Sequence, residues 1–122
     1  MKTITFSITP IGKPRMVRSD AWSKRSVVLE YWAFKDQLNL QANSKKYVLG
    51  DTLDILFILP MSESWSKKKK KVLVGTAHQQ KPDIDNLVKA FMDALREDDA
   101  AVYDIHAQKI WGLGGQINVF KK

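Results

Sequence analysis

Asp83 and Asp85 are two carboxylates one residue apart in the run Lys81-Pro82-Asp83-Ile84-Asp85-Asn86-Leu87-Val88-Lys89. Like charges held this close repel unless a proton or a cation sits between them, and hard divalent cations such as Mg²⁺ take carboxylate oxygens by preference. Asp98-Asp99 follows downstream. Residues 83–104 hold seven acids against two bases, a net −5 in a chain that is +7 overall, so the remainder carries +12. A basic body attracts a polyanion, while a local acidic cluster holds metal. Phosphodiester hydrolysis needs a nucleophilic water and compensation of charge on the phosphate and leaving oxygen, and one or two Mg²⁺ ions supply both. The combination points to metal-dependent cutting of nucleic acid.

Each of these residues also has an ordinary structural use. Asp83, directly before a helix, is suited to cap it and to favour the macrodipole. In an extended segment Asp83 and Asp85 instead project the same way, because alternate side chains share a face. Asp98-Asp99 suits a solvated turn. Lys89, four residues after Asp85, either makes a helix-surface ion pair or holds a cation near the scissile phosphate. Lys67, Lys68, Lys69, Lys70 and Lys71 form a solvated helix face or a phosphate-tracking patch, and Lys13, Arg15 and Arg18 face the same choice. Lys81 joins them as a candidate DNA contact. Trp22 serves as core or as a stacking platform. His78 is a loop histidine or the lining of a DNA channel. Neither His78 nor His106 has a spaced partner, so zinc is not expected.

At 122 residues the chain is expected to be one domain spanning residues 1–122. Its 44% hydrophobic content and twelve aromatics are enough for a modest core and argue against disorder. The absence of cysteine excludes disulfides, thiolate zinc sites and cysteine nucleophiles. The start alternates polar and apolar residues, unlike a signal peptide, and no apolar run approaches membrane-spanning length. A cytoplasmic, intracellular protein with no membrane partner is expected.

Periodicity supplies the elements that must position these side chains. Residues 3–9 and 52–59 alternate as half-buried strands. Residues 27–43 suit a helix, with Val28, Leu29, Tyr31, Trp32, Phe34, Leu38 and Leu40 as its apolar set. Ser64 is a candidate N-cap for a short helix through the lysine run, closed by Gly75, with residues 76–80 a polar linker. Residues 86–95 carry the clearest helical pattern. Residues 101–111 and 116–120 are expected to pair as an antiparallel hairpin through Gly112, Gly114 and Gly115, which are turn residues because no helix follows them. The fold class is α+β, a single small mixed sheet with helices packed against it. A helix over 86–95 is roughly 15 Å long, so Asp99 must return alongside it to join Asp83 within one subunit.

The stretch from Lys81 through Asn86-Leu87-Val88-Lys89-Ala90 and Asp93-Ala94-Leu95 to Asp98-Asp99-Ala100-Ala101-Val102 resembles the RusA family of Holliday junction resolvases of bacteria and their phages. Lys109 and Gly114-Gly115, Gly12-Lys13-Pro14-Arg15 and Ser64-Trp65-Ser66-Lys67-Lys68-Lys69 resemble it more loosely. The resemblance implies a homodimer that cuts four-way DNA junctions with Mg²⁺. It assigns Asp83, Asp85 and Asp99 as metal-binding catalytic carboxylates and Lys89 as the functional lysine. A two-fold protein also matches the approximate two-fold symmetry of a four-way junction. The expected activity is a Mg²⁺-dependent, structure-selective endodeoxyribonuclease acting in recombination and repair. Its rivals are a noncatalytic basic DNA-binding module and a metal nuclease for other branched DNA.

Overall fold

The structure, a computed structural model, describes residues 2–14, 26–96 and 100–121. Its elements are β1 (Lys2–Phe6), α1 (Ser26–Ser44), β2 (Thr52–Pro60), α2 (Lys67–Leu73), α3 (Ile84–Leu95), β3 (Asp104–Gly112) and β4 (Gln116–Lys121). Their order is the one the periodicity requires. The strands form one sheet, β1-β4-β2-β3. β4 is antiparallel to both β1 and β2, whereas β3 is parallel to β2, so the sheet is mixed and the arrangement α+β.

The expected terminal hairpin does not form, because β2 lies between β3 and β4. Leu53, Ile55, Phe57 and Leu59 make β2 the most apolar strand, and a central place gives it a hydrogen-bonded neighbour on each side. Alternation shows which residues face inward but not which strand comes next. The chain instead crosses over the end of β2, where Met61 N–H donates to the Gly112 carbonyl at 3.3 Å. A Cβ on Gly112 would lie 2.2 Å from Ile58 Cγ2, so this crossing needs a residue without a side chain.

Other expectations shift at their edges. β1 ends at Phe6, short of residue 9, because the Gln41 side chain takes both backbone groups of Ser7, at 2.8 and 3.1 Å. α1 buries Val28, Tyr31, Phe34, Leu38 and Ala42, a single stripe, and leaves Leu29, Trp32 and Leu40 exposed on its other sides. Ser66, not Ser64, caps α2: its Oγ accepts from Lys69 N–H at 3.1 Å, while Ser64 bonds Ser62. Gly75 leaves that helix at φ +83°, as expected.

The core lies between the sheet and helices α1 and α3. Phe6 contacts the Tyr47 and Phe91 rings edge-on at 5.7 and 6.0 Å, and Leu38, Ile55, Phe57, Leu87 and Ile117 are fully buried around them. α3 buries Leu87, Val88, Ala90, Phe91, Met92 and Ala94, which fixes its orientation against the sheet and so aims its polar face.

Candidate active site

Helix α3 begins two residues before the expected start, and this changes how the two aspartates meet. Asp83 occupies the N-cap position and Asp85 the first turn, so they do not alternate along an extended strand. Asp83 has the extended backbone of a cap (φ −66°, ψ 145°), yet its carboxylate makes no capping hydrogen bond. Its backbone carbonyl accepts from Leu87 N–H at 3.0 Å and starts the helix. Asp85 Oδ1 accepts from Asn86 N–H at 2.9 Å. Both side chains line an open cleft of about 630 Å³, together with His78, Lys81, Ile84 and Lys109. Lys81 Nζ stands 3.9 Å from Asp83 Oδ2, with both side chains mostly exposed, so that pair is weak. The Lys81–Pro82 peptide bond is cis.

The wall of the cleft is built on β3. Residues 76–78, part of the 76–80 stretch expected as a plain polar linker, run antiparallel beside this strand through the Ala77–Ile110 bridge. Gly75 N–H donates to Trp111 O, Trp111 N–H to Thr76 O, and His78 N–H to Lys109 O, at 2.8, 3.0 and 3.1 Å. His78 is buried, its ring centroid 4.1 Å from that of Trp111, whose other close aromatic neighbour is Trp65 at 4.9 Å. Gln80 N–H points at His78 Nδ1 at 3.4 Å. Burial, and next the Lys109 charge, hold the His78 pKa below its ordinary value, partly offset by a backbone hydrogen bond. His78 is therefore a neutral packing residue of the cleft wall.

Along α3, Asp85, Lys89 and Asp93 recur every four residues and share a face. The ion pair seen for Lys89 is with Asp93 Oδ2 at 3.5 Å, one turn on, rather than with Asp85. Lys13 Nζ reaches the same oxygen at 2.5 Å, and the Asp93 side chain is only 17% exposed. The strap carrying Lys13 lies close on α3, because a Cβ on Gly12 would sit 2.6 Å from Asn86 Nδ2. Lys13 N–H also donates to Asn86 O at 3.4 Å.

Of the expected DNA contacts, Lys67, Lys68, Lys69 and Lys71 are exposed on α2 and Lys70 is half-buried. Lys69 Nζ sits 4.0 Å above the Trp65 ring, so the chain of contacts Lys69–Trp65–Trp111–His78 joins the lysine helix to the cleft wall. Arg15, Arg18, Trp22, Asp98 and Asp99 lie outside the described residues. At the far end of α3, Arg96 donates to the Leu49 and Gly50 carbonyls, each at 3.1 Å.

The donor set fits a hard cation. Among the described residues no group of three or more ligating side chains is assembled. Two carboxylates facing an open cleft nevertheless suit Mg²⁺, which is usually held by one or two carboxylates while waters and substrate phosphates complete its shell. Lys109 and Asp93 were not singled out for chemistry from sequence, but each left a signal. Lys109 holds an inward phase of β3 between Ala107 and Trp111, and Asp93 continues the four-residue charged stripe from Asp85. No curated protein matches the chain. Residues 7–120 match the family described as Endodeoxyribonuclease RusA, and with nearly its whole length covered the chain belongs to this family of Holliday junction resolving endodeoxyribonucleases, phosphodiester hydrolases that act on DNA.

Proposed function

We propose that residues 1–122 act as a single catalytic domain, a Mg²⁺-dependent, structure-selective nuclease that works inside the cell as a homodimer. It resolves four-way junctions by paired, symmetric nicks. The observation that carries this reading is the Asp83 carboxylate, left uncommitted at a helix N-cap and facing the same cleft as Asp85. Asp83 and Asp85, joined by Asp99 as the family resemblance implies, hold the ion. When bound there, Mg²⁺ supplies an acidified water and neutralises charge on the phosphate. Lys89, held on the same helix face by Asp93, stabilises the charge that develops as the phosphodiester breaks. Lys67–Lys71 and Lys81, with Arg15 and Arg18, track the phosphates of the junction arms. Lys13 joins this basic surface while its ammonium anchors the strap to Asp93. Two-fold symmetry presents two such clefts to the two strands that must be cut.

The test is an end-labelled synthetic four-way junction incubated with and without Mg²⁺, beside linear duplex and the Asp85→Asn variant. Symmetric Mg²⁺-dependent nicks on the junction, lost in the variant while binding persists, are expected. Tight binding with no cutting under any divalent metal would overturn the reading and leave a DNA-binding module with structural aspartates. Equal cutting of flaps and duplex would remove the junction selectivity alone.

A further inference from the structure

Lys109 is a cation in an apolar place. It pairs with Phe57 in the β2–β3 register and so occupies the core-facing phase of β3, where the residues two before and two after it are Ala107 and Trp111. Its ammonium is held by the backbone at the edge of the open cleft. Nζ meets two backbone carbonyls, Gln80 O at 2.5 Å and Pro82 O at 2.7 Å. The Lys109 carbonyl also accepts from His78 N–H at 3.1 Å. One residue thus ties the cleft segment at residues 78, 80 and 82, and the last of these immediately precedes Asp83. Hydrogen bonds from a charged donor are roughly twice as strong as neutral ones. Two of the three ammonium donors are already taken by carbonyls.

We infer that Lys109 is a positioning residue that latches the backbone leading into Asp83 and so sets where the Asp83 carboxylate stands relative to Asp85. The inference rests on the proposal that these two carboxylates hold the metal. It also separates Lys109 from the other lysines around the cleft. A lysine that contacts DNA phosphate contributes to the salt dependence of binding, whereas one committed to carbonyls does not. Removing the latch leaves the basic surface intact and loosens a ligand, and loss of such a supporting contact typically costs about 10–100-fold in metal affinity or activity.

The test compares Lys109→Met and Lys109→Arg with the wild-type full chain. Junction affinity is measured against salt in EDTA, single-turnover cleavage is measured against Mg²⁺ concentration, and thermal midpoints confirm folding. For Lys109→Met the expected result is an unchanged junction Kd and salt slope, a higher half-saturating Mg²⁺ and a cleavage rate about 10–100-fold lower. Lys109→Arg, which keeps charged donors near the two carbonyls, restores part of the rate. Lys109→Gln, which keeps one amide donor, replaces the Met variant if that chain does not fold, and it is judged by the same two criteria. A salt slope lower by about one, with weaker binding, makes Lys109 a phosphate contact and overturns the inference. So does an unchanged rate and Mg²⁺ dependence. Asp85→Asn run in parallel keeps the two claims apart: if it still cuts, the metal-site reading has failed, and if it is dead while Lys109→Met is normal, only the latch has.

Discussion

Two hollows lie toward opposite ends of β3, and both are lined by aspartates. One, of about 490 Å³, holds Asp51, Asp54, Asp104, His106, Tyr47 and Tyr103 among its lining. The other is the cleft of Asp83 and Asp85. Acid content does not distinguish them, but the partners of Asp54 and Asp83 do. Asp54 is paired with the His106 ring at 3.1 Å. Asp83 forgoes the cap bond open to it and, among the described residues, has a solvent-screened lysine 3.9 Å away as its charged partner. The surroundings differ as well. Lys121 is the lysine of the first lining, whereas Lys81 and Lys109 line the second and the lysine helix adjoins its wall. A polyanion is drawn to carboxylates only where positive charge around them outweighs their repulsion. On the proposal that Asp83 and Asp85 are catalytic, the basic frame, rather than the number of acids, sets their cleft apart.

The hardest test of this contrast is to exchange an oxygen for an amide in each hollow. Asp83→Asn or Asp85→Asn should lower junction cleavage by roughly a thousandfold while binding holds or tightens. Asp54→Asn and Asp104→Asn should leave the cleavage rate where it was. Equal losses on both sides would erase the distinction. Lys89 gives the next effect: Lys89→Met should cost about a hundredfold in single-turnover rate at constant junction affinity. Asp93→Asn, which frees Lys89 and Lys13 together, should cost about tenfold and should raise the susceptibility of the N-terminal strap to proteolysis.

How much of this was legible in the sequence differs between the same two regions. The cleft motif announced itself, because Asp83, Asp85 and Lys89 are close in sequence and α3 has an unambiguous apolar stripe in Leu87, Val88, Phe91 and Met92. What the sequence hid was everything held by long-range contact. Lys109 is 27 residues from the Pro82 carbonyl it binds, and Lys13 is 80 residues from Asp93. Lys109 showed only a charge in an apolar phase and Asp93 only a charged stripe, and neither pattern names its distant partner. Strand order was hidden for the same reason. β3 and β4 are close in sequence with glycines between them, and local turn chemistry favoured a hairpin. The parallel pairing of β2 with β3 was decided instead by the burial of β2 on both edges. Helix capping was misread by two residues because Ser62, Ser64 and Ser66 are equivalent in type, and only the backbone geometry selects Ser66.

Charge neutralisation in α2 gives a smaller, graded effect. Lys68→Ala and Lys71→Ala, both on exposed positions, should each weaken junction binding uniformly and lower the slope of log K against log salt by about one. Lys121→Ala, in the other hollow, should leave that slope alone. A slope that responds equally to Lys121 would mean that the DNA path covers both ends of the sheet.

The smallest expected effect separates the hollows by proton linkage, since among the described residues His78 is buried in the wall of one and Tyr47 in the wall of the other. Burial and the Lys109 charge lower the His78 pKa below 6.5 in the folded protein. The unfolded chain therefore takes up this proton first as pH falls. The His78 contribution to stability is fully present above pH 6.5 and is lost as pH drops through the folded value. At the other end, burial pushes Tyr47 up from 10.0 to about 12, with Arg96 opposing in part. There the unfolded chain loses its proton first, so stability is intact below pH 10.0 and declines as pH rises toward about 12. Urea unfolding across pH should show both limbs. His78→Gln should flatten only the acid limb and Tyr47→Phe only the alkaline one. If His78→Gln leaves the acid limb unchanged, the carboxylates carry it, and the wall of the cleft is then open enough for the imidazole to be protonated without unfolding. That outcome would also weaken the case for a wall rigid enough to hold Asp83 in place, because His78 and Lys109 share it.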